Sequence, residues 1–156
     1  MAIAITLQNY LEVSGIEYEL IKHDYASTCM RSADMSHVSG EYTAKAVLLY
    51  DGVRYLVAVV PATHRVQLGI LHKKFKRYMS LATESELHAL FDDCSVGAIP
   101  PLGSAYGLDV IIDKHLDNCD DVYFEAGDHI GLVHVSGCDF RSLMNSAYHG
   151  EISRHL

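Results

Sequence analysis

Two apolar runs joined by a turn signal constrain this chain most. Residues 44–50 and 53–60 have the composition of strands, and Asp51 and Gly52 stand between them. Asp-Gly favours the type I′ turn, whose twist matches that of two antiparallel strands. Because both runs are apolar at nearly every position, each strand is expected to be buried on both faces. The pattern predicts a β-hairpin in the centre of a sheet and not at its edge.

Capping signals divide the rest of the chain into helices and short strands. Thr6 is expected to cap a first helix that Gly15 stops. Thr83 with Glu86 forms a capping-box pattern for a helix that runs to Phe91. Weaker signals predict helices at 31–38, at 66–76 and after Ser136 with Asp139. They also predict strands at 16–21, 108–112, 122–125 and 132–135. This mixture, without a G-x-G-x-x-G element, predicts an α+β fold with a mixed, mostly antiparallel sheet.

Length and composition set the outer limits of what the chain can be. Its 156 residues suffice for one domain, 1–156, and 49% apolar with 21% charged residues indicates a compact globule. No apolar run approaches the ~20 residues that span a bilayer, so no membrane partner is expected. Residues 1–5 lack a basic segment. No signal peptide is therefore expected, and the protein is expected to be cytoplasmic.

The formal net charge of −8 bears on nucleic-acid binding. Phosphate contacts dominate such binding, and an acidic surface repels phosphates. Basic residues cluster at 72–74 and at Lys76 and Arg77, where they form either a solvated helix face or a docking patch for an RNA end. RNA binding is therefore expected to be weak or assisted by a partner, and confined to a short terminus.

The cysteines and histidines show no metal-binding spacing. Cys29, Cys94, Cys119 and Cys138 form no C-x-x-C pair, and none of the ten histidines belongs to an H-E-x-x-H motif. No metal and no cofactor are expected, and the thiols are expected to be reduced. A G-x-S-x-G nucleophile elbow is also missing. Cys29 or Cys138 can act as a nucleophile only if a histidine lies beside it in space.

Lys45 is the charged residue in the first strand of the hairpin, on the same face as Val47 and Leu49. Its ammonium group either extends to solvent at the end of the strand or points into a cavity. In a cavity it would anchor a ligand hydroxyl, carboxyl or phosphate.

Residues 97–103 (Gly-Ala-Ile-Pro-Pro-Leu-Gly) form a stiff segment. The two prolines remove two backbone donors, and the glycines permit backbone conformations that other residues resist. Such a segment is either a plain connection between two elements or a source of main-chain N–H groups for an oxyanion.

Together these features resemble the YbaK/prolyl-tRNA-synthetase-associated domain family of aminoacyl-tRNA deacylases. In chain order they are Tyr18, His23 and Thr28, the lysine-bearing strand at 44–49, the partner strand at 57–61, the G-x-x-x-P-x-G loop at 97–103, and the segments 110–113 and 125–127. The resemblance covers residues 7–144.

The resemblance implies a barrel-like mixed sheet flanked by helices, with a pocket for the aminoacylated terminal adenosine of tRNA. It implies that Lys45 orients the ribose or the ester. Backbone groups at Gly97 and Ala98 would position the carbonyl and the attacking water, in a substrate-assisted hydrolysis without a triad. The residues expected to bind substrate are Tyr18, Thr28, Arg31, Ile99, Pro101, Gly103, Gly127 and His129.

Two positions depart from the family. Residues 29–31 follow Thr28 where many relatives have acidic residues, and Arg31 either adds positive charge to the pocket or pairs with a surface carboxylate. Asp128 and His129 stand where relatives vary, and His129 either assists proton transfer at neutral pH or belongs to a solvated turn. The amino acid removed, whether alanine, cysteine, serine or proline, stays undecided.

The sequence therefore predicts a metal-free deacylase whose partners are the 3′ end of an aminoacyl-tRNA and an aminoacyl-tRNA synthetase. The alternative is a non-catalytic module that binds a synthetase, a tRNA end or a small metabolite. The acidic composition and the residues after Thr28 favour the module, whereas Lys45 and the glycine–proline loop favour the enzyme.

Overall fold

A computed structural model of the protein describes residues 3–156. In this part of the chain the helices are α1 (Ile5–Val13), α2 (Cys29–Met35), α3 (Leu68–Phe75), α4 (Glu84–Leu90) and α5 (Gly137–Leu143). The strands are β1 (Glu19–Lys22), β2 (Thr43–Tyr50), β3 (Tyr55–Pro61), β4 (His64–Val66), β5 (Ser80–Leu81), β6 (Asp109–Asp113), β7 (Asp121–Glu125), β8 (Gly131–Ser136), β9 (Tyr148–Gly150) and β10 (Ser153–His155). No helix in residues 3–156 is both long enough and apolar enough to cross a membrane. Met1 and Ala2, part of the segment in which no signal peptide is expected, lie outside the described residues.

The strands form one large mixed sheet and one small antiparallel pair. The large sheet has the order β1-β8-β7-β2-β3-β6-β9, with β5 paired to β2. Its antiparallel pairs are β1–β8, β7–β8, β2–β3 and β2–β5, and its parallel pairs are β2–β7, β3–β6 and β6–β9. Strands β4 and β10 pair separately. The α+β fold with a mixed sheet flanked by helices is confirmed.

Strand β3 lies in the middle of the large sheet and supplies both hydrophobic cores. Val57 and Val59 belong to the larger core, whereas Leu56, Ala58 and Val60 belong to the smaller one. This alternation follows from the two-residue period of a strand, which directs successive side chains to opposite faces. The prediction that the hairpin is central and buried on both faces is confirmed.

The turn of the hairpin differs from the predicted two-residue Asp51-Gly52 connection. Strands β2 and β3 are joined by residues 51–54. The Asp51 carboxylate accepts the N–H groups of Val53 and Arg54 at 2.8 and 2.7 Å. Gly52 has φ +97°, in the left-handed region that favours glycine. The aspartate therefore caps the turn from its first position. Gly52 has a positive φ but Asp51 does not, so the predicted type I′ turn at Asp51-Gly52 is wrong.

Two of the predicted helix caps are confirmed. Thr83 and Glu86 form the reciprocal capping box at the start of α4. The Ser136 side chain accepts the N–H of Asp139 at the start of α5. Each cap satisfies backbone donors that the first turn of a helix leaves unpaired.

The predicted cap of α1 is wrong. The residue that precedes the helix is Ala4, which has no side-chain cap. Thr6 lies inside the first turn, and its N–H donates instead to the Asp93 carboxylate at 2.8 Å. A carboxylate 87 positions away thus supplies the acceptor that a capping side chain usually provides. Gly15, with φ +69°, follows the end of the helix as predicted.

We expect Gly137 to be required at the start of α5. A Cβ atom at this position would collide with the carbonyl oxygen of Cys119, and the Gly137 N–H donates to the carbonyl of Asp120 at 2.6 Å. The Gly137→Ala variant should lose about 3 kcal/mol of unfolding free energy or more, because two backbone segments must separate. Urea unfolding measures the loss.

The matched control is Gly69→Ala in α3, where a Cβ atom meets nothing within 4 Å. This variant should change stability by less than about 1 kcal/mol, in the stabilising direction. Equal losses in the two variants would contradict the packing assigned to Gly137.

Candidate functional site

A cavity of about 210 Å³ opens between β2, the start of α2 and the loop at residues 97–99. Its wall is mostly apolar and includes Val47, Leu87 and Ile99. Two charged side chains, Lys45 and Glu125, also line it. A small apolar cavity with a few polar groups is the usual form of a site for a small ligand group.

Lys45 is half-buried and fixed at the border of this cavity. Its Nζ donates a hydrogen bond of 2.7 Å to the carbonyl oxygen of His64. Burial lowers the pKa of Lys45, and the charge of Arg65 adds to this shift. The Lys45 side chain thus lines the cavity, and its ammonium group is bound by a backbone carbonyl.

A buried network supports the residue that holds Lys45. His64 is 4% exposed, and its Nδ1 lies 2.9 Å from the Ser153 hydroxyl oxygen. The Ser153 hydroxyl donates to the Asp113 carboxylate at 2.7 Å. Burial raises the pKa of Asp113, but hydrogen bonds from the His115 N–H, Ser153 and the Ile152 N–H outweigh burial and keep the pKa below its usual value. Because Ser153 gives its hydrogen to Asp113, its oxygen accepts from Nδ1–H of His64.

Glu125 ends strand β7 and is 3% exposed. Neither of its carboxylate oxygens has a hydrogen-bond partner within residues 3–156. Burial raises the pKa of Glu125 to about 7, while the nearby Ser32 hydroxyl opposes the shift although it forms no hydrogen bond to the carboxylate. Glu125 is not among the site residues predicted from the sequence. The sequence signal for Glu125 is an acidic residue at the end of a largely apolar strand.

The loop at residues 97–99 contributes Gly97 and Ile99 to the wall of the cavity. Gly97 has φ +88°, and a Cβ atom there would lie 3.2 Å from the His129 ring. The Ala98 N–H donates to the Ser95 carbonyl at 3.1 Å. In residues 3–156, the N–H groups of Gly97 and Ile99 have no hydrogen-bond partner. Glycine is therefore needed for both the conformation and the close approach of the imidazole.

His129 links this loop to the segment before α2. It is 6% exposed with φ +66°. Its Nδ1 lies 2.9 Å from the carbonyl oxygen of Ala26, and its Nε2 lies 2.7 Å from that of Val96. His129 is thus buried between two backbone segments and does not belong to a solvated turn.

The other residues expected to bind substrate lie outside the cavity lining. Thr28 caps α2 by accepting the N–H of Arg31 at 3.2 Å. Arg31 is exposed and has no carboxylate within 4 Å among the residues described. Tyr18 is half-buried and borders a separate depression beside His134.

Three further residues of this set serve packing. Pro101 and Gly103 are buried, and a Cβ atom on Gly103 would lie 2.9 Å from the side chain of Val57. Gly127 has φ +119°, and a Cβ atom added to it would lie 3.0 Å from the Cβ of Ala4. The structure therefore brings together Lys45, Gly97 and Ile99 at the cavity. Ala98 and His129 are buried at the same loop but do not line the cavity.

Within residues 3–156, neither cysteine considered as a nucleophile forms a hydrogen bond to a histidine, and the Cys29 thiol donates to the carbonyl of Ala44. Cys29 lines the cavity, but burial, followed by the charge of Glu125, raises the pKa of its thiol far above the usual value. A neutral thiol is a poor nucleophile. Cys138 is exposed in α5. No cluster of three or more His, Cys, Asp or Glu side chains suited to a metal occurs in residues 3–156.

Positive charge also lies beside Lys45, on the small β4–β10 pair. Arg65 and Arg154 are directly opposite in the antiparallel register, so their side chains share one face. Both are exposed and line one depression, and neither has a carboxylate within 4 Å in the described part of the chain. In the basic cluster at 72–77, by contrast, Arg77 pairs with Asp51 at 2.9 Å.

We expect the Glu125 charge to reduce stability above neutral pH. Its pKa of about 7 lies above the ordinary 4.5, so the folded protein holds this proton more tightly than the unfolded chain. The stability cost is absent below pH 4.5, grows between pH 4.5 and 7, and is complete above 7. The unfolding free energy of Glu125→Gln minus that of the wild type should therefore increase by about 3 kcal/mol from roughly pH 4 to pH 8. Urea unfolding at both pH values measures this gain, and a pH-independent difference would contradict it.

Comparison with known proteins agrees with the fold. The model of the aminoacyl-tRNA editing domain matches residues 23–143. The solved structure of "hypothetical protein APE2540" has a TM-score of 0.84 at 19% identity, over 96% of this chain and 99% of that one. A "putative trans-editing enzyme for prolyl tRNA synthetase" has a TM-score of 0.84 at 18% identity, over 97% of this chain and 96% of that one.

A third solved structure, a "putative signal transduction protein" from Marinobacter aquaeolei, has a TM-score of 0.77 at 18% identity. The match covers 96% of this chain and 30% of that one. At these identities, the three solved structures establish a common fold and nothing further. A comparison with curated proteins gives no match. The family model spans most of the sequence, including Lys45, residues 97–99 and Glu125. This chain belongs to the aminoacyl-tRNA editing domain family.

Proposed function

We propose that this protein is an aminoacyl-tRNA deacylase that hydrolyses the ester of mischarged tRNA in trans. The observation that carries the proposal is Lys45, held by the His64 carbonyl at the border of a small apolar cavity. The loop with unpaired N–H groups at Gly97 and Ile99 lies on the same cavity. Membership of the editing-domain family supports the reaction class.

In this proposal Lys45 orients the terminal ribose or the ester oxygen. An ammonium group has three donors, and the His64 carbonyl takes one of them. The remaining donors can reach oxygen atoms of the substrate without any change in the lysine's position. Because the ammonium group is partly desolvated, a hydrogen bond to it is stronger than at the surface.

The loop at residues 97–99 stabilises the developing oxyanion. Water attacks the carbonyl carbon, the bond to the ribose oxygen breaks, and a proton of the water ends on that oxygen. The N–H groups of Gly97 and Ile99 are the available donors for the negative charge. Ala98 acts by holding the loop through its bond to Ser95, and His129 fixes the loop from behind.

The size and apolar character of the cavity select a small amino acid, such as alanine, cysteine, serine or proline. About 210 Å³ with an apolar wall suits a short side chain, and larger side chains are excluded by shape. Such a cavity separates substrates that differ by one methylene by only ~1–3 kcal/mol. Exclusion of larger cognate residues therefore matters more than preference among small ones.

Arg65 and Arg154 are the proposed contact for a phosphate of the tRNA 3′ end. Their side chains share a face beside Lys45 and lack carboxylate partners in residues 3–156. Thr28 and Arg31 lie at the start of α2 next to Cys29, which lines the cavity. A synthetase that transfers the charged tRNA to this protein in the cytoplasm would compensate for the weak binding that such a small contact gives.

We expect Lys45→Ala to lower kcat/KM for deacylation by roughly 10- to 100-fold, the loss typical of a hydrogen bond from a charged group. The assay is release of amino acid from Ala-, Ser-, Cys- and Pro-tRNA. Lys22→Ala, an exposed lysine at the end of β1, is the control and should retain wild-type activity. Circular dichroism checks that both variants fold. If the wild type releases nothing above the spontaneous rate, the proposal fails in favour of a non-catalytic binding module.

We expect the double variant Arg65→Gln/Arg154→Gln to raise KM for tRNA and to leave kcat nearly unchanged. The dependence of log KM on log salt should become shallower by about 0.7 for each single-strand phosphate that the variant no longer binds. Both the KM change and its salt dependence are measured by steady-state kinetics between roughly 50 and 200 mM salt. Binding to phosphates weakens over this range. Arg54→Gln in the hairpin turn is the control, and an equal effect there would contradict a local phosphate site.

A further inference from the structure

Glu125 is a buried ionisable group at the cavity that the proposed reaction leaves unused. It lines the cavity together with Lys45, Gly97 and Ile99, and it is 3% exposed. Both carboxylate oxygens lack a hydrogen-bond partner within residues 3–156. A carboxylate in such surroundings is costly unless something of opposite charge or a donor reaches it.

The chain's own cation at this cavity does not neutralise Glu125. Strands β2 and β7 are parallel neighbours in which Ala44 pairs with Phe124, so Lys45 and Glu125 are the next residues along. Their charged atoms nevertheless do not come within 4 Å, because Lys45 Nζ is bound to the His64 carbonyl. The Ser32 hydroxyl also makes no hydrogen bond to the carboxylate. The residues that line the cavity therefore include a fixed cation and a separate acid, whose buried oxygens have no hydrogen-bond partner within residues 3–156.

The substrate of the proposed deacylase carries a group that matches this acid. An aminoacyl ester has an α-ammonium group on the carbon next to the reacting carbonyl. If the carbonyl lies against the donors of Gly97 and Ile99, the ammonium group lies in the same cavity, within a few bonds of it. Opposite charges attract far more strongly in apolar surroundings than in water.

We propose that Glu125 recognises the α-ammonium group of the aminoacyl moiety and so makes the site specific for esters with a free amino group. This inference rests on the proposed function and deepens it. A tRNA whose amino acid is acylated on nitrogen, as in peptidyl-tRNA, lacks that positive charge. The site then hydrolyses free aminoacyl esters and spares peptidyl esters of the same terminal residue.

The test compares a charged tRNA with its α-hydroxy-acid counterpart, which has nearly the same size but no ammonium group. The pair is alanyl-tRNA and lactyl-tRNA, or the equivalent pair for the amino acid that the wild type releases best. The full-length wild type should have a kcat/KM roughly 10- to 100-fold higher for the aminoacyl ester, relative to the ratio of the two spontaneous rates. Glu125→Gln should bring this preference close to one.

Two controls separate recognition from a structural role. Asp121→Asn makes the same acid-to-amide change on an exposed residue at the other end of β7 and should keep the full preference. Glu125→Asp retains the charge and should retain part of the preference. A Glu125→Gln variant that slows both esters equally would overturn the inference, because a general base or a purely structural carboxylate predicts that result.

Measurements on the wild type alone can also overturn the inference. Equal rates for the two esters, each taken relative to its spontaneous rate, would overturn the inference while leaving the deacylase itself intact. Hydrolysis of neither ester, nor of any charged tRNA in the panel, would instead reject the proposed function. The two failures are therefore distinguishable.

Discussion

The hydrogen bond between Lys45 and the carbonyl of His64 joins the two sheets at the cavity. Lys45 belongs to the large sheet, whereas His64 belongs to the small β4–β10 pair. The position of the ammonium group thus depends on the C-terminal strand, whose Ser153 connects the His64 ring to buried Asp113. Burial lowers the pKa of Lys45, and the His64 carbonyl accepts one hydrogen of the ammonium group. A lysine in an apolar strand is tolerated here because a distant segment supplies its acceptor.

That bond also keeps two opposite charges apart. A direct ion pair between Lys45 and Glu125 would satisfy both groups and leave neither for a ligand. Held at the His64 carbonyl, the lysine retains donors, and Glu125 retains both carboxylate oxygens. The thiol of Cys29 stays neutral beside them, since burial and the Glu125 charge disfavour its thiolate. In the proposed reaction, the separated charges meet separate substrate groups, the ester or ribose oxygens and the ammonium group.

Local sequence was enough to predict the hairpin, two of the three assigned helix caps and the two landmarks of the cavity. Lys45 stands out among apolar neighbours, and the glycine–proline loop stands out by composition. The rest depends on long-range partners. Asp93 replaces a capping side chain for α1 from 87 positions away, and β4 and β10 are too short for a periodic signal. The isolation of Glu125 becomes visible only when every nearby donor is located in space.

The acidic composition is compatible with the proposed action on tRNA because charge acts locally. Salt screens exposed charges beyond about 10 Å at roughly 0.1 M, so the net charge of −8 matters less to a docked tRNA end than the residues it touches. In the proposal those residues are Arg65 and Arg154 on the β4–β10 face, which have no acidic partner within residues 3–156. In the proposed action on tRNA, the acidic remainder would repel the body of the tRNA and keep the contact short. A short contact favours release after hydrolysis, which an enzyme acting on tRNA in trans requires at every turnover.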